Sequence, residues 1–189
     1  MKSASLTGEG PAISFPVNVT RMPEGGRVVR IAAGPRELRA LAQGHGLAEV
    51  GSFEAELKVA RWKSTGVRVT GRVVADVVQS CVVTLEPVEA HVDAPVDAIF
   101  VPPTSRLARP DRDGDAAILI DPDGPDLPEV LESDELDLGA VAEEFFELAL
   151  DPFPRSPGAD LPAPEGGNEV DEKVTPFAKL AQLRKDRGE

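Results

Sequence analysis

Three runs in this chain alternate apolar and polar residues strictly enough to decide its fold class. In residues 55–62, Ala55, Leu57 and Val59 alternate with Glu56 and Lys58; in 67–78 the inward set is Val67, Val69, Gly71, Val73, Ala75 and Val77. A period of two places each set on one face of a β-strand. Between the two runs lies Lys63-Ser64-Thr65-Gly66, a short glycine-bearing turn. The pair therefore predicts a hairpin with one face buried. A third run, 88–100, sets Val88, Ala90, Val92, Ala94, Val96, Ala98 and Phe100 on one face and Pro95 on the other. Proline has no N–H to give a ladder, so Pro95 points to an edge position or a bulge.

The flanking segments extend this sheet and add helices. Residues 13–20 read as a first short strand, and Pro23-Glu24-Gly25-Gly26 turns the chain into a second, 27–33. Gly34-Pro35 opens a helical stretch in which Leu38, Leu41 and Ala42 recur at spacings of three and four, stopped by Gly44 and Gly46. Residues 102–115 have no periodicity and read as a loop; 117–120 read as a short strand. An amphipathic helix then begins near Asp137, its N-cap. Leu138, Val141, Ala142, Phe145, Leu148 and Ala149 form its apolar stripe, with Glu143, Glu144 and Glu147 on the opposite side and Asp151-Pro152-Phe153-Pro154 ending it. Residues 155–175 carry too much proline, glycine and charge to pack. The final stretch, 176–185, regains helical spacing through Phe177, Leu180 and Leu183 after Pro176, but is too short to stand as a helix alone and needs a surface to fold on.

The expected architecture is α+β: an antiparallel sheet of roughly four to six strands, or a partly closed barrel, with two packed helices. Residues 13–154 form one domain with an acidic loop at 102–135; 1–12 are a flexible N-terminus, and 155–189 a disordered tail ending in the helix-prone peptide. An apolar share of 41% supports one such core, and aromatics at 4% make it a Val/Ala/Leu core with few large anchors.

Charge separates the halves. Residues 1–101 carry 11 basic and 11 acidic side chains, whereas 102–150 carry 3 basic against 14 acidic, most of the chain's net −13. Such acidity repels nucleic acid overall, so RNA contact would need a local basic face. One cysteine excludes an internal disulfide and fits a reducing compartment. There is no apolar run of signal-peptide type and none of about 20 residues to span a bilayer. The expected location is the cytoplasm.

Catalytic and metal chemistry find little to work with. Cys81 is the only thiol, and His45 and His91 are the only imidazoles; none stands at zinc-ligand spacing. Cys81 at a strand end reads as a buried small apolar side chain, with Cys81→Ala costing about 1 kcal/mol. Asp111-Arg112-Asp113-Gly114-Asp115 opens like a calcium loop, but Ala116 and Pro122 stand where that loop needs glycine and glutamate. No cofactor is expected. Two surfaces are better candidates. Lys58, Arg68 and Arg72 share the outward face of the hairpin with Trp62, and Lys63 sits in the turn, a set that suits RNA through phosphate contacts and stacking. Glu143, Glu144 and Glu147, with Pro176, Phe177, Leu180 and Leu183 of the tail, are the candidates for contact with a protein.

Gln79-Ser80-Cys81-Val82-Val83-Thr84-Leu85-Glu86-Pro87 follows a long valine-rich strand. Some fifty residues on come Asp137-Leu138-Gly139-Ala140-Val141-Ala142-Glu143-Glu144-Phe145-Phe146-Glu147-Leu148-Ala149-Leu150 and Pro152-Phe153-Pro154, and the chain closes with Thr175-Pro176-Phe177-Ala178-Lys179-Leu180-Ala181-Gln182-Leu183. In this order, across residues 13–185, the motifs resemble the YceD family of bacterial proteins, named for a role in accumulation of large-subunit (23S) ribosomal RNA. The chain departs from many relatives in having Thr84 where they complete a Cys-x-x-Cys, and in lacking Cys or His between residues 155 and 164. The resemblance implies a non-enzymatic ribosome-biogenesis factor. Its expected partner is a basic large-subunit ribosomal protein, whose gene commonly neighbours those of the family, or a pre-ribosomal particle, with rRNA contact besides. An acidic protein–protein adaptor unrelated to ribosomes would share the same fold and charge.

Overall fold

The two predicted hairpin strands are longer than their alternating cores. In a computed structural model of the chain, which describes residues 10–23, 25–105, 108 and 127–159, β3 (Glu49–Trp62) and β4 (Gly66–Ser80) pair antiparallel from Glu49↔Val78 to Trp62↔Gly66. The left-handed residue of the turn is Lys63 (φ 52°) and not the glycine. Gly66 is there for space, since a Cβ would lie 2.8 Å from the Trp62 ring and 3.1 Å from the Phe100 carbonyl. Gly71 is a similar case on β4: a Cβ would run into the Glu56 carbonyl of β3.

Around this hairpin, β2 (Arg27–Ala32) pairs antiparallel with β3, and β5 (Pro87–Val101) pairs antiparallel with β4 over its whole length. A two-residue strand, β6 (Glu129–Val130), adds parallel to the end of β5 at Phe100 and Val101. The sheet order is β2-β3-β4-β5-β6, and the sheet is open. Pro95 faces Arg72 on β4, and on its other side β5 meets a described strand only at Phe100–Val101, so the proline sits on an edge stretch. A separate two-stranded sheet pairs β1 (Pro16–Asn18) with β7 (Glu135–Asp137). Both β6 and β7 fall in the region read as an acidic loop or its margin. They are too short to carry a periodic signal. The predicted strand at 117–120 lies outside the described residues.

The inner face of the sheet is the alternating set. Ala55, Leu57, Val59, Val67, Val69, Val73, Ala75, Val77, Val92, Ala94, Val96, Ala98 and Phe100 are buried, while Gly71, expected among them, is exposed, and Val88 and Ala90, near the start of β5, are only partly covered. α1 (Pro35–Gly44) packs chiefly on β3, and α2 (Leu138–Ala149) on β5 and β4. Besides Phe100, the large anchors are Phe53 and Phe146, stacked edge to face with centroids 5.5 Å apart.

Two expectations need correction. The strand read over 13–20 is only three residues long. Residues 12–15 spend their backbone groups on α2 instead: Ala12 and Ile13 donate to the Glu143 carboxylate and Phe15 to Asp137, while Phe15 O accepts from Leu138 N. The stripe of α2 is also rotated. Leu138, Val141 and Ala142 are buried as expected, but Gly139 and Phe146 join them, Phe145 is half-buried, Leu148 is 75% exposed and Ala149 is exposed. Adjacent phenylalanines fit the helical period equally well. Phe146 is the one that fills the space between Phe53 and His45.

Candidate functional site

The outward face of the sheet carries the basic candidates, and the neighbouring strand β5 neutralises the two arginines among them. Arg68 forms a two-pronged pair with Asp97 at 2.7 and 2.5 Å, and Arg72 pairs in the same way with Asp93. Arg30 on β2 binds Glu56 on β3 at 2.6 Å, and Glu56 lies directly opposite Arg72. The result is a ladder of alternating charge, Arg30–Glu56–Arg72–Asp93, across four strands. Further along, Asp76 accepts from Ser52 and binds His91 Nδ1, each at 2.7 Å, and these bonds hold its carboxyl below the usual range. Lys58 alone of the three strand cations has no carboxylate partner among the described residues. Trp62 is half-buried, and Lys63 places its Nζ 4.2 Å from the ring centroid. The alternation of strand residues predicted which side chains share this face. It could not predict the carboxylates, because Asp93 and Asp97 belong to β5, whose register the sequence does not state.

The second cluster lies where the helices meet. Asp137 caps α2 by accepting from Gly139 N and Ala140 N, and the same carboxylate accepts from Phe15 N and Ser14 Oγ at 2.7 Å each. One turn and a half later, Glu143 turns inward, contrary to the outward placement expected of it. Its Oε2 takes the Ala12 and Ile13 N–H groups, and its Oε1 lies 3.1 Å from Nε2 of half-buried His45. Helical geometry brings Glu143 to the boundary of the buried face, and two unpaired N–H groups and an imidazole hold it there. His45 is raised above its ordinary value of 6.5, by the Glu143 hydrogen bond first, against burial, with the Glu143 and Glu147 charges adding to the rise.

A pH dependence follows with a definite sign. The folded value exceeds the unfolded one, so the stability contributed by the pair is complete below about 6.5 and is lost as pH rises through the raised folded value. Urea midpoints of the native chain should fall across that window relative to those of His45→Gln. Parallel curves for the two proteins would exclude the link.

Cys81 sits in the loop between β4 and β5, buried as expected, but it is not a plain apolar filler. Its Sγ accepts from Val83 N, Thr84 N and Ser156 N at 3.4, 3.4 and 3.3 Å. Hydrogen bonds from the Thr84 side chain and from the Ser156 and Thr84 backbones pull the thiol down to about 6. Neither histidine is among the hydrogen-bond partners of the sulfur: His45 bonds Glu143 and His91 bonds Asp76. No group of three or more His, Cys, Asp or Glu residues is placed to hold a metal among the described residues. The calcium-like segment at 111–115 lies outside them.

The stretch from β6 to the end of α2 is strongly acidic. Between residues 127 and 156 there are nine acidic side chains and one basic, Arg155. Asp137 and Glu143 are used internally, whereas Glu132, Asp134, Glu135, Glu144 and Glu147 are exposed. No lysine or arginine pairs with any of these carboxylates among the described residues. Glu129 is raised by burial first and then by the nearby Glu144 charge. Of the protein-contact candidates, Glu144 and Glu147 thus lie on an open acidic face, and Pro176, Phe177, Leu180 and Leu183 fall outside the described residues.

The elements that build these features coincide with a family pattern. A family model described as large ribosomal RNA subunit accumulation protein YceD matches residues 69–184, more than half of the chain and narrower than the 13–185 of the motif resemblance. The match begins in β4 and takes in the Cys81 loop, β5 and α2. Comparison with curated proteins and with solved structures finds no match. With the Cys81 loop, the Asp137-capped helix and the closing peptide all inside the matched span, the chain belongs to the YceD family.

Proposed function

We propose that this protein is a non-catalytic ribosome-biogenesis factor of the bacterial cytoplasm, supporting accumulation of 23S rRNA by binding a basic large-subunit ribosomal protein. The family supports the process. The observation that carries the partner is the contrast between the two surfaces. The sheet pairs its Arg30, Arg68 and Arg72 with carboxylates of its own strands, whereas the exposed carboxylates between β6 and the end of α2 have no lysine or arginine partner among the described residues. An open anionic face attracts a cationic protein, speeds its encounter and screens it from premature contact with RNA. Direct RNA binding through Lys58, Trp62, Lys63, Arg68 and Arg72 has less support, because phosphate would have to displace Asp97 and Asp93 from the two arginines. No helix among the described residues is long and apolar enough to cross a membrane.

The test uses large-subunit ribosomal proteins released from purified subunits by high salt. The native chain should bind one or a few of them in a salt-sensitive manner. The variant Glu132→Gln, Asp134→Asn, Glu135→Gln, Glu144→Gln should bind about ten-fold more weakly. Equal recovery by native and variant chains at low and moderate salt would remove the reading.

A further inference from the structure

We infer that the hollow where both helices terminate is a receptor for an arginine side chain of a basic partner, taken up together with an apolar neighbour from the same segment. The inference rests on the reading that the partner is a basic protein, and says where one of its side chains goes. α1 ends at Gly44 and α2 at Ala149, and their C-caps, His45 and Leu150, line one cavity of about 450 Å³. That size falls in the range of specific sites, roughly 300–1,000 Å³.

Its charge is one-sided. Each helix C-terminus carries about half a negative elementary charge on its last carbonyls, and neither helix has a basic residue in its last turn to offset it. Glu147 and Asp151 add two carboxylates to the lining, which contains no lysine or arginine. His45 also lines the hollow, but its Nε2 is bonded at 3.1 Å to Glu143, a carboxylate outside the lining, and only its Nδ1 approaches Glu147, at 3.9 Å, so at most one imidazolium stands against three carboxylates and two helix ends. Asp151 is held in place: its Oδ1 accepts from Phe153 N and its backbone oxygen from the Gln79 amide, both at 2.9 Å. The Glu147 side chain is 67% exposed, held only by the 3.9 Å approach to His45 Nδ1.

The border is apolar. Val82, 46% exposed, is part of the lining, and Phe153, 69% exposed, stands between two lining prolines, Pro152 and Pro154. A small hydrated cation would gain nothing from this border. A guanidinium suits both parts: it is weakly hydrated, it offers five N–H donors in a plane that can serve carbonyls from two helix ends and a carboxylate together, and its chain brings apolar neighbours.

The probe is the peptide acetyl-Leu-Arg-Leu-amide, titrated into the 15N-labelled full chain, beside the same peptide with neutral citrulline in place of arginine. Saturable amide shifts are expected at Gly44, Gly46, Leu47, Leu150 and Asp151. Affinity should fall about ten-fold for the citrulline peptide and similarly for Glu147→Gln. Equal shifts with the two peptides, or shifts centred on Glu132, Asp134 and Glu135, would overturn the assignment. The ribosomal-protein assay separates the two claims. Full binding by Glu147→Gln/Val82→Lys, with loss in the four-amide variant, would leave the basic-partner reading standing and sink the hollow. Failure of the native chain to bind any ribosomal protein would sink that reading, and the peptide titration would still decide the hollow.

Discussion

Phe146→Ala should lower the stability of the protein by about 3–5 kcal/mol, the largest loss expected from any single truncation here. The ring is fully buried and meets two others edge to face: Phe53 of β3 at 5.5 Å and His45 at 5.6 Å. Removing it leaves a cavity between helix and sheet that a valine-rich floor cannot refill, because β-branched side chains have few rotamers to offer. Aromatic pairing adds about 0.5–1.5 kcal/mol per contact beyond the area lost. Urea unfolding of the purified chain measures the effect, and Phe145→Ala is the comparison. Phe145 is only partly covered, so its truncation should cost well under half as much. Equal losses at the two positions would mean that α2 presents a different face to the sheet.

That comparison bears on how much of the molecule its sequence discloses. The alternation in 55–62, 67–78 and 88–100 names the inner face of the sheet almost residue by residue, because a period of two leaves a side chain only two choices. The helix is harder. Its period of 3.6 lets Phe145 or Phe146, and Leu148 or neither, complete the stripe, and only the position of Phe53 across the interface decides. The limits of the candidate surfaces have the same origin. Lys58, Arg68 and Arg72 do share one face, as their spacing says. Whether that face is basic depends on Asp93 and Asp97, which reach it through the pairing of Thr70 with Asp97 and Val74 with Asp93. Glu143 is a similar case: an outward glutamate by periodicity, it is drawn inward by N–H groups more than a hundred residues away in sequence. The acidity of the region around α2, in contrast, is a matter of composition, and no register can undo it.

Asp137→Ala should cost about 3 kcal/mol, more than the loss of an ordinary helix cap. A cap of this kind contributes about 0.5–2 kcal/mol through the first N–H groups of the helix, here those of Gly139 and Ala140. The same carboxylate also accepts from the partly buried Phe15 N–H and from Ser14 Oγ, and a buried donor left without a partner adds about 1–3 kcal/mol. One side chain therefore fastens the N-terminal segment to the start of α2. The close approach it fixes leaves no room for a Cβ at Gly139, which would run into the Ile13 carbonyl. Asp137→Asn keeps an acceptor oxygen for the cap or for Phe15 and should recover roughly half of the loss. Urea midpoints rank the three proteins, and amide exchange locates the cause: in Asp137→Ala the Phe15 amide should exchange faster than the amides of β3 and β4. If Phe15 kept its protection while stability fell, the damage would lie in the cap alone, and the N-terminal segment would be held by Glu143 without help from Asp137.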